Sequence, residues 1–123
     1  MDVELQINNS TSPAAQFVTW APSPCRIRMT NSAGAVPPAV SIKLSNVSAA
    51  GGGAIGFRTG TTGAFTSTLT LTVPTNGASV SFFTAGTAAS SNNGDVKIEA
   101  RAGNTVVGST ACMVRIRKNA NKD

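Results

Sequence analysis

Apolar residues recur at every second position through most of this chain, and that period of two constrains the fold more than any other feature. Side chains alternate across a β-strand, whereas a helix needs apolar residues at i, i+3, i+4 and i+7. Leu69, Leu71 and Val73 alternate with Thr68, Thr70 and Thr72; Cys25, Ile27 and Met29 alternate with Arg26, Arg28 and Thr30. The same pattern sets Val40, Ile42 and Leu44 against Ser41, Lys43 and Ser45, and Val96, Ile98 and Ala100 against Asp95, Lys97, Glu99 and Arg101. Almost no stretch carries the helical pattern. Val and Ile together number 17 against 4 Leu, and branching at Cβ suits a pleated, half-buried surface.

Turn chemistry divides these runs. Asn31-Ser-Ala-Gly34, Gly51-Gly-Gly53, Pro74-Thr-Asn-Gly77, Asn93-Gly94 and Gly103-Asn104 fall between alternating segments, where left-handed or tightly turned backbone is needed. Strands are expected at Val3–Ile7, within Gln16–Trp20, and over Cys25–Thr30, Val40–Ser45, Ile55–Phe57 and Thr66–Val73. Others are expected from Val80, over Asp95–Arg101, at Val106–Val107 and over Cys112–Lys118. Short strands without a helix for a parallel crossover predict an all-β, antiparallel two-sheet sandwich of the immunoglobulin-like kind with about 7–9 strands. A partly open barrel is the competing architecture. With 123 residues the chain holds one core: residues 1–118 form the sandwich and 119–123 a polar tail or linker.

The chain has no histidine and no tyrosine, and its five acids are Asp2, Glu4, Asp95, Glu99 and Asp123. Imidazole is the usual general base and the commonest metal ligand. An enzyme is therefore not expected, and neither a catalytic residue, a metal nor another cofactor is assigned. Gly60-Thr-Thr-Gly63 lacks the Lys-Ser/Thr and the following helix of a phosphate loop, and reads as a β connection.

Two groups of residues remain as candidates. Cys25 and Cys112 both fall on inward rows of their strands, where they either form a disulfide across the core or pack as reduced, buried hydrophobes. Arg26, Arg28, Arg115, Arg117 and Lys118 fall on outward rows. If their two strands share a sheet they form a basic contact stripe for an anionic partner; otherwise they are a solvated sheet face. Nucleic acid is not the expected partner, because Trp20 and the five Phe are spread through strand patterns and do not interleave with the cations. Phe82-Phe83 places adjacent rings on opposite faces. The net charge of +5 aids solubility without naming a partner.

No apolar stretch approaches the roughly 18 residues that cross a bilayer, so membrane insertion by a helix is not expected. The amino terminus lacks the basic segment and apolar run of a signal peptide; for an exported parent protein, the signal lies upstream.

In the carboxy-terminal half, Leu71–Gly86 (LTVPTNGASVSFFTAG), Gly94–Ala100 (GDVKIEA), Val106–Gly108 (VVG) and Met113–Asn121 (MVRIRKNAN) carry a more particular pattern. Cys25–Asn31 (CRIRMTN) adds to it. These residues resemble the β-sandwich segment found beside the copper domain in bacterial tyrosinase-like proteins. The resemblance implies a non-catalytic accessory module that packs on or positions a neighbouring enzyme domain, in a bacterial protein whose secreted or cell-surface setting is favoured over the cytoplasm. Type 3 copper chemistry needs histidines, so no copper-binding or oxidase residue carries over. The partner expected is protein, either a neighbouring domain or a second copy. The other readings are a self-assembling structural subunit of a filament, shell or surface layer, and a β-sandwich that binds an anionic ligand or a carbohydrate.

Overall fold

A computed structural model describes residues 1–8, 17–18, 21–35, 38–48, 54–88 and 94–114. Among them the chain forms nine strands and no helix: β1 (Asp2–Ile7), β2 (Phe17–Val18), β3 (Ser23–Asn31), β4 (Ala39–Ser48), β5 (Ala54–Arg58), β6 (Thr68–Pro74), β7 (Val80–Ala88), β8 (Gly94–Ala102) and β9 (Thr105–Val114). They assemble into two sheets, one ordered β1-β3-β7-β5 and the other β2-β9-β8-β4-β6. All pairings are antiparallel except that of the two-residue β2 with β9. The β-sandwich expected from the alternation is the observed fold.

The inward rows are those the period of two selects. Ile7, Ile27, Ile42, Leu44, Phe57, Val73, Phe82 and Ile98 are buried completely or nearly so, with Leu5, Met29, Ile55, Leu71 and Ala100 beside them. Burying each large apolar side chain contributes about 1.5–3 kcal/mol, so this one core holds both sheets. The Phe57 and Phe82 rings meet across the β5–β7 pair at 6.3 Å and 56°, the tilted geometry that aromatic quadrupoles favour.

Three departures from the sequence pattern shape the edges. Thr66 belongs to no strand; its N–H and C=O pair with those of Phe57 at 2.8 and 2.7 Å, which covers part of the outer edge of β5. Val106–Val107 and Cys112 lie on the single strand β9, not on two strands. Gly108 permits this because β1 crosses it: a Cβ there would lie 2.7 Å from the Val3 carbonyl oxygen. A bulge between Ala100 and Arg101 resets the phase of that ladder, leaving Val106 exposed and Val107 buried.

Candidate functional site

The chemistry of this chain lies on the two outer sheet faces. On the first sheet, the register sets Glu4 against Arg28 and Gln6 against Arg26. Arg28 Nε lies 3.0 Å from Glu4 Oε1, and Arg26 Nη2 donates to Gln6 Oε1 at 2.9 Å. Half-exposed pairs of this sort contribute at most about 1 kcal/mol, but they fix what the face presents: the two cations of β3 are met by side chains of β1. The candidate basic stripe required β3 and the last strand to share a sheet. They lie in opposite sheets, so Arg26 and Arg28 are not extended by β9, and Arg115, Arg117 and Lys118 fall outside the described residues. Phe82 and Phe83 do point to opposite faces, with Phe82 in the core and Phe83 half-buried outside it. Phe83 lies between Pro24 and Arg58 in the register.

Arg58 organises the connection that follows it. Its Nε, Nη1 and Nη2 donate to the carbonyl oxygens of Gly60, Gly63 and Thr61 at 3.0, 2.8 and 2.9 Å. The guanidinium also lies 4.3 Å from the centre of the Phe65 ring. The Gly60–Gly63 segment is thus a turn wound around one side chain, which sequence reading missed; the only signal was a cation ending a strand just before a Gly-Thr-Thr-Gly run. Arg58→Ala and Arg58→Lys are both expected to destabilise the fold by about 1 kcal/mol, because an ammonium cannot replace a planar three-donor fork. Both should also speed limited proteolysis between residues 59 and 67, measured against the unchanged chain.

On the second sheet the outer rows are hydroxyls and a few charges. Lys43 stands between Thr70 and Arg101, and Arg101 Nε lies 2.6 Å from Glu99 Oε1. Lys97 is exposed nearby. Among the described residues no three His, Cys, Asp or Glu side chains gather as a metal site would require, and no helix is long and apolar enough to cross a membrane. The buried hydroxyl of Thr84 is committed to the Gly56 carbonyl at 2.8 Å. The Cys25 thiol is buried and donates to the Ser23 carbonyl at 3.4 Å. Cys25 is not in a disulfide, so the structure does not form the candidate bridge to Cys112, which sits opposite Val96 in the β8–β9 register with its side chain outside the described residues.

Asn46 is the exception to this polar satisfaction. It shares the inner row of β4 with Ile42 and Leu44, and its Oδ1 is buried without a hydrogen-bond partner. An unsatisfied buried carbonyl costs about 1–3 kcal/mol, so Asn46→Leu, which keeps the number and branching of the side-chain heavy atoms, is expected to raise stability by about 1 kcal/mol in chemical denaturation. A loss of stability instead would show that the amide is satisfied in solution.

What these groups can do is make contacts: Arg26, Arg28, Arg58 and Arg101 are held by neighbours on their own sheet or by backbone carbonyls, and the buried Thr84 and Cys25 are committed to backbone carbonyls while Asn46 Oδ1 has no partner. No protein-family model matches the sequence, and no curated protein matches it significantly.

Proposed function

We propose that this chain is a non-catalytic, immunoglobulin-like module of a larger bacterial protein that packs on or positions a neighbouring enzyme domain. The observation that carries this reading is the strand order. In a constant-type immunoglobulin sandwich, strands A, B, E and D face G, F and C. Here β1, β3, β7 and β5 take the places of the first set, and β9, β8 and β4 those of the second. The departures are β6, inserted between the fourth and fifth of these strands in sequence and added beside β4, and the short β2 beside β9. A scaffold of this kind does its work through faces, edges and loops, and a full sequence without histidine or tyrosine accords with that.

The test is to read the gene on both sides and to work with the whole product. A frame that continues past Asp123 into a domain bearing paired copper-ligand histidines is expected. Deleting residues 1–118 from that product is expected to lower its soluble yield or its oxidase activity. Unchanged yield and activity would overturn the accessory role.

The second reading, a self-assembling structural subunit, is favoured by one observation: β6 is an edge strand without a charged residue. Light scattering after size exclusion separates the two. A species near 12.4 kDa at working concentration accords with the module, and large, open-ended assemblies accord with the subunit.

A further inference from the structure

The four sheet edges are not alike. At β1 the chain carries Asp2 and Glu4, and its backbone at Val3 lies against Gly108 of β9. At β5 the backbone of Phe57 is already paired with Thr66. The edge at β2 is two residues long. Among the described residues β6 presents a seven-residue edge without a charge, whereas β9, also uncharged, is paired by β2 at Met113 and Val114 and met by Val3 of β1 at Gly108; charges, short strands and covering segments are the usual means of keeping edges from pairing.

The direction of the β6 backbone follows from one hydrogen bond. Thr75 N–H donates to the Pro38 carbonyl at 2.9 Å, one step beyond the Pro74–Ala39 pair of the β4–β6 ladder. Antiparallel ladders alternate hydrogen-bonded and non-hydrogen-bonded pairs. Val73, Leu71 and Leu69 therefore bond to β4, and Thr68, Thr70, Thr72 and Pro74 turn their backbone groups to the open edge. Two of those groups are not on offer: Pro74 has no N–H, and the Thr68 carbonyl accepts the Thr66 hydroxyl at 2.6 Å.

We infer that β6 is a self-complementary edge on which a second copy of this chain docks, antiparallel, about a two-fold axis at Leu71. In that register Thr70 faces Thr72 of the second copy and exchanges both backbone hydrogen bonds with it, and Thr72 does the same with Thr70. Thr68 faces Pro74, so the missing N–H falls opposite the carbonyl that already has a donor, while the Thr68 N–H meets the Pro74 carbonyl. Shifting the axis to Thr72 would set Pro74 against Thr70, whose carbonyl would then lack a donor.

Charge also favours this occupant. The nearest cation, Lys43, is one strand in from the edge, so the two copies of it stand three strand spacings apart, roughly 14 Å. That exceeds the screening length of about 8 Å in physiological salt, and the hydroxyl rows meet as Thr–Thr pairs, which are favourable across strands. An isologous contact closes on itself. With the other edges charged, covered or short, assembly stops at the dimer. The inference does not depend on the accessory-module reading.

Sedimentation equilibrium of the full chain from about 10 μM to about 1 mM, the range suited to a contact one strand wide, tests it. The mass is expected to rise from 12.4 kDa toward twice that value and no further. Thr70→Lys/Thr72→Lys and Thr70→Glu/Thr72→Glu each remain monomeric with unchanged circular dichroism, and their equimolar mixture regains the dimer, since opposite charges then face each other. A wild-type chain that stays monomeric, double variants that dimerise like wild type, a mixture of folded variants that stays monomeric, or masses beyond two chains would each overturn the inference.

Discussion

Phe57→Ala is expected to destabilise the fold by about 4 kcal/mol, seen as a lower denaturation midpoint at an unchanged slope. Phe57 is fully buried although β5 is an edge strand, because Thr66 covers its backbone while its ring reaches the core against Phe82. Truncation removes the transfer energy of the ring and leaves a cavity that β-sheet neighbours close poorly. Domains of this size are stable by only about 5–15 kcal/mol, so one residue accounts for a large share. Phe57→Leu should cost much less, because most of the volume is kept. A double-mutant cycle with Phe82→Ala should return a coupling of about 0.5–1.5 kcal/mol for the tilted pair. A loss below about 1 kcal/mol for Phe57→Ala would mean that the two sheets are not packed around this ring.

The alternation made the faces legible and left the neighbours undetermined. Ile42, Leu44, Leu71, Val73, Ile98 and Ala100 could be set on inward rows from sequence, because the side-chain period of a strand is two whatever it pairs with. Which strands share a sheet is decided by crossovers, and alternation carries no record of those. The condition on the candidate stripe turned on such a crossover: Arg26 and Arg115 stand on similar motifs, Cys-Arg-Ile-Arg and Val-Arg-Ile-Arg, while β3 and β9 belong to opposite sheets and Arg115 lies outside the described residues. Arg58 escaped notice for a related reason. Its partners are three backbone carbonyls of a turn, and a carbonyl has no sequence signature. Thr66 likewise continues the Thr-x-Thr pattern of β6 but leaves the strand to pair with Phe57, since long-range backbone pairing can override a local pattern.

Gly108→Ala is expected to cost about 3 kcal/mol and to lower the melting temperature by on the order of 10 °C. Glycine in a strand weakens it unless another backbone approaches closely, and here one does. A methyl group at Gly108 would lie 2.6 Å from Val3 Cγ2, 2.7 Å from the Val3 carbonyl oxygen and 3.4 Å from the carbonyl carbon. The first of these obstacles is a side chain and the others are main chain, which separates two ways of relieving the clash. Val3→Ala in the same molecule removes the Cγ2 contact and leaves the oxygen, so the double variant should recover only part of the loss. Gly103→Ala is the control. It meets no atom within 4 Å at its Cβ, but its φ is +61°, so its cost is backbone strain alone, about 1 kcal/mol. If Gly108→Ala cost no more than Gly103→Ala, β1 would not lie on β9 as described, and the edge of the first sheet at Val3 would be open to pairing. The same comparison therefore bears on assembly, because the contact of Val3 with Gly108 covers part of both β1 and β9, two edges that would otherwise compete with β6 for a partner strand.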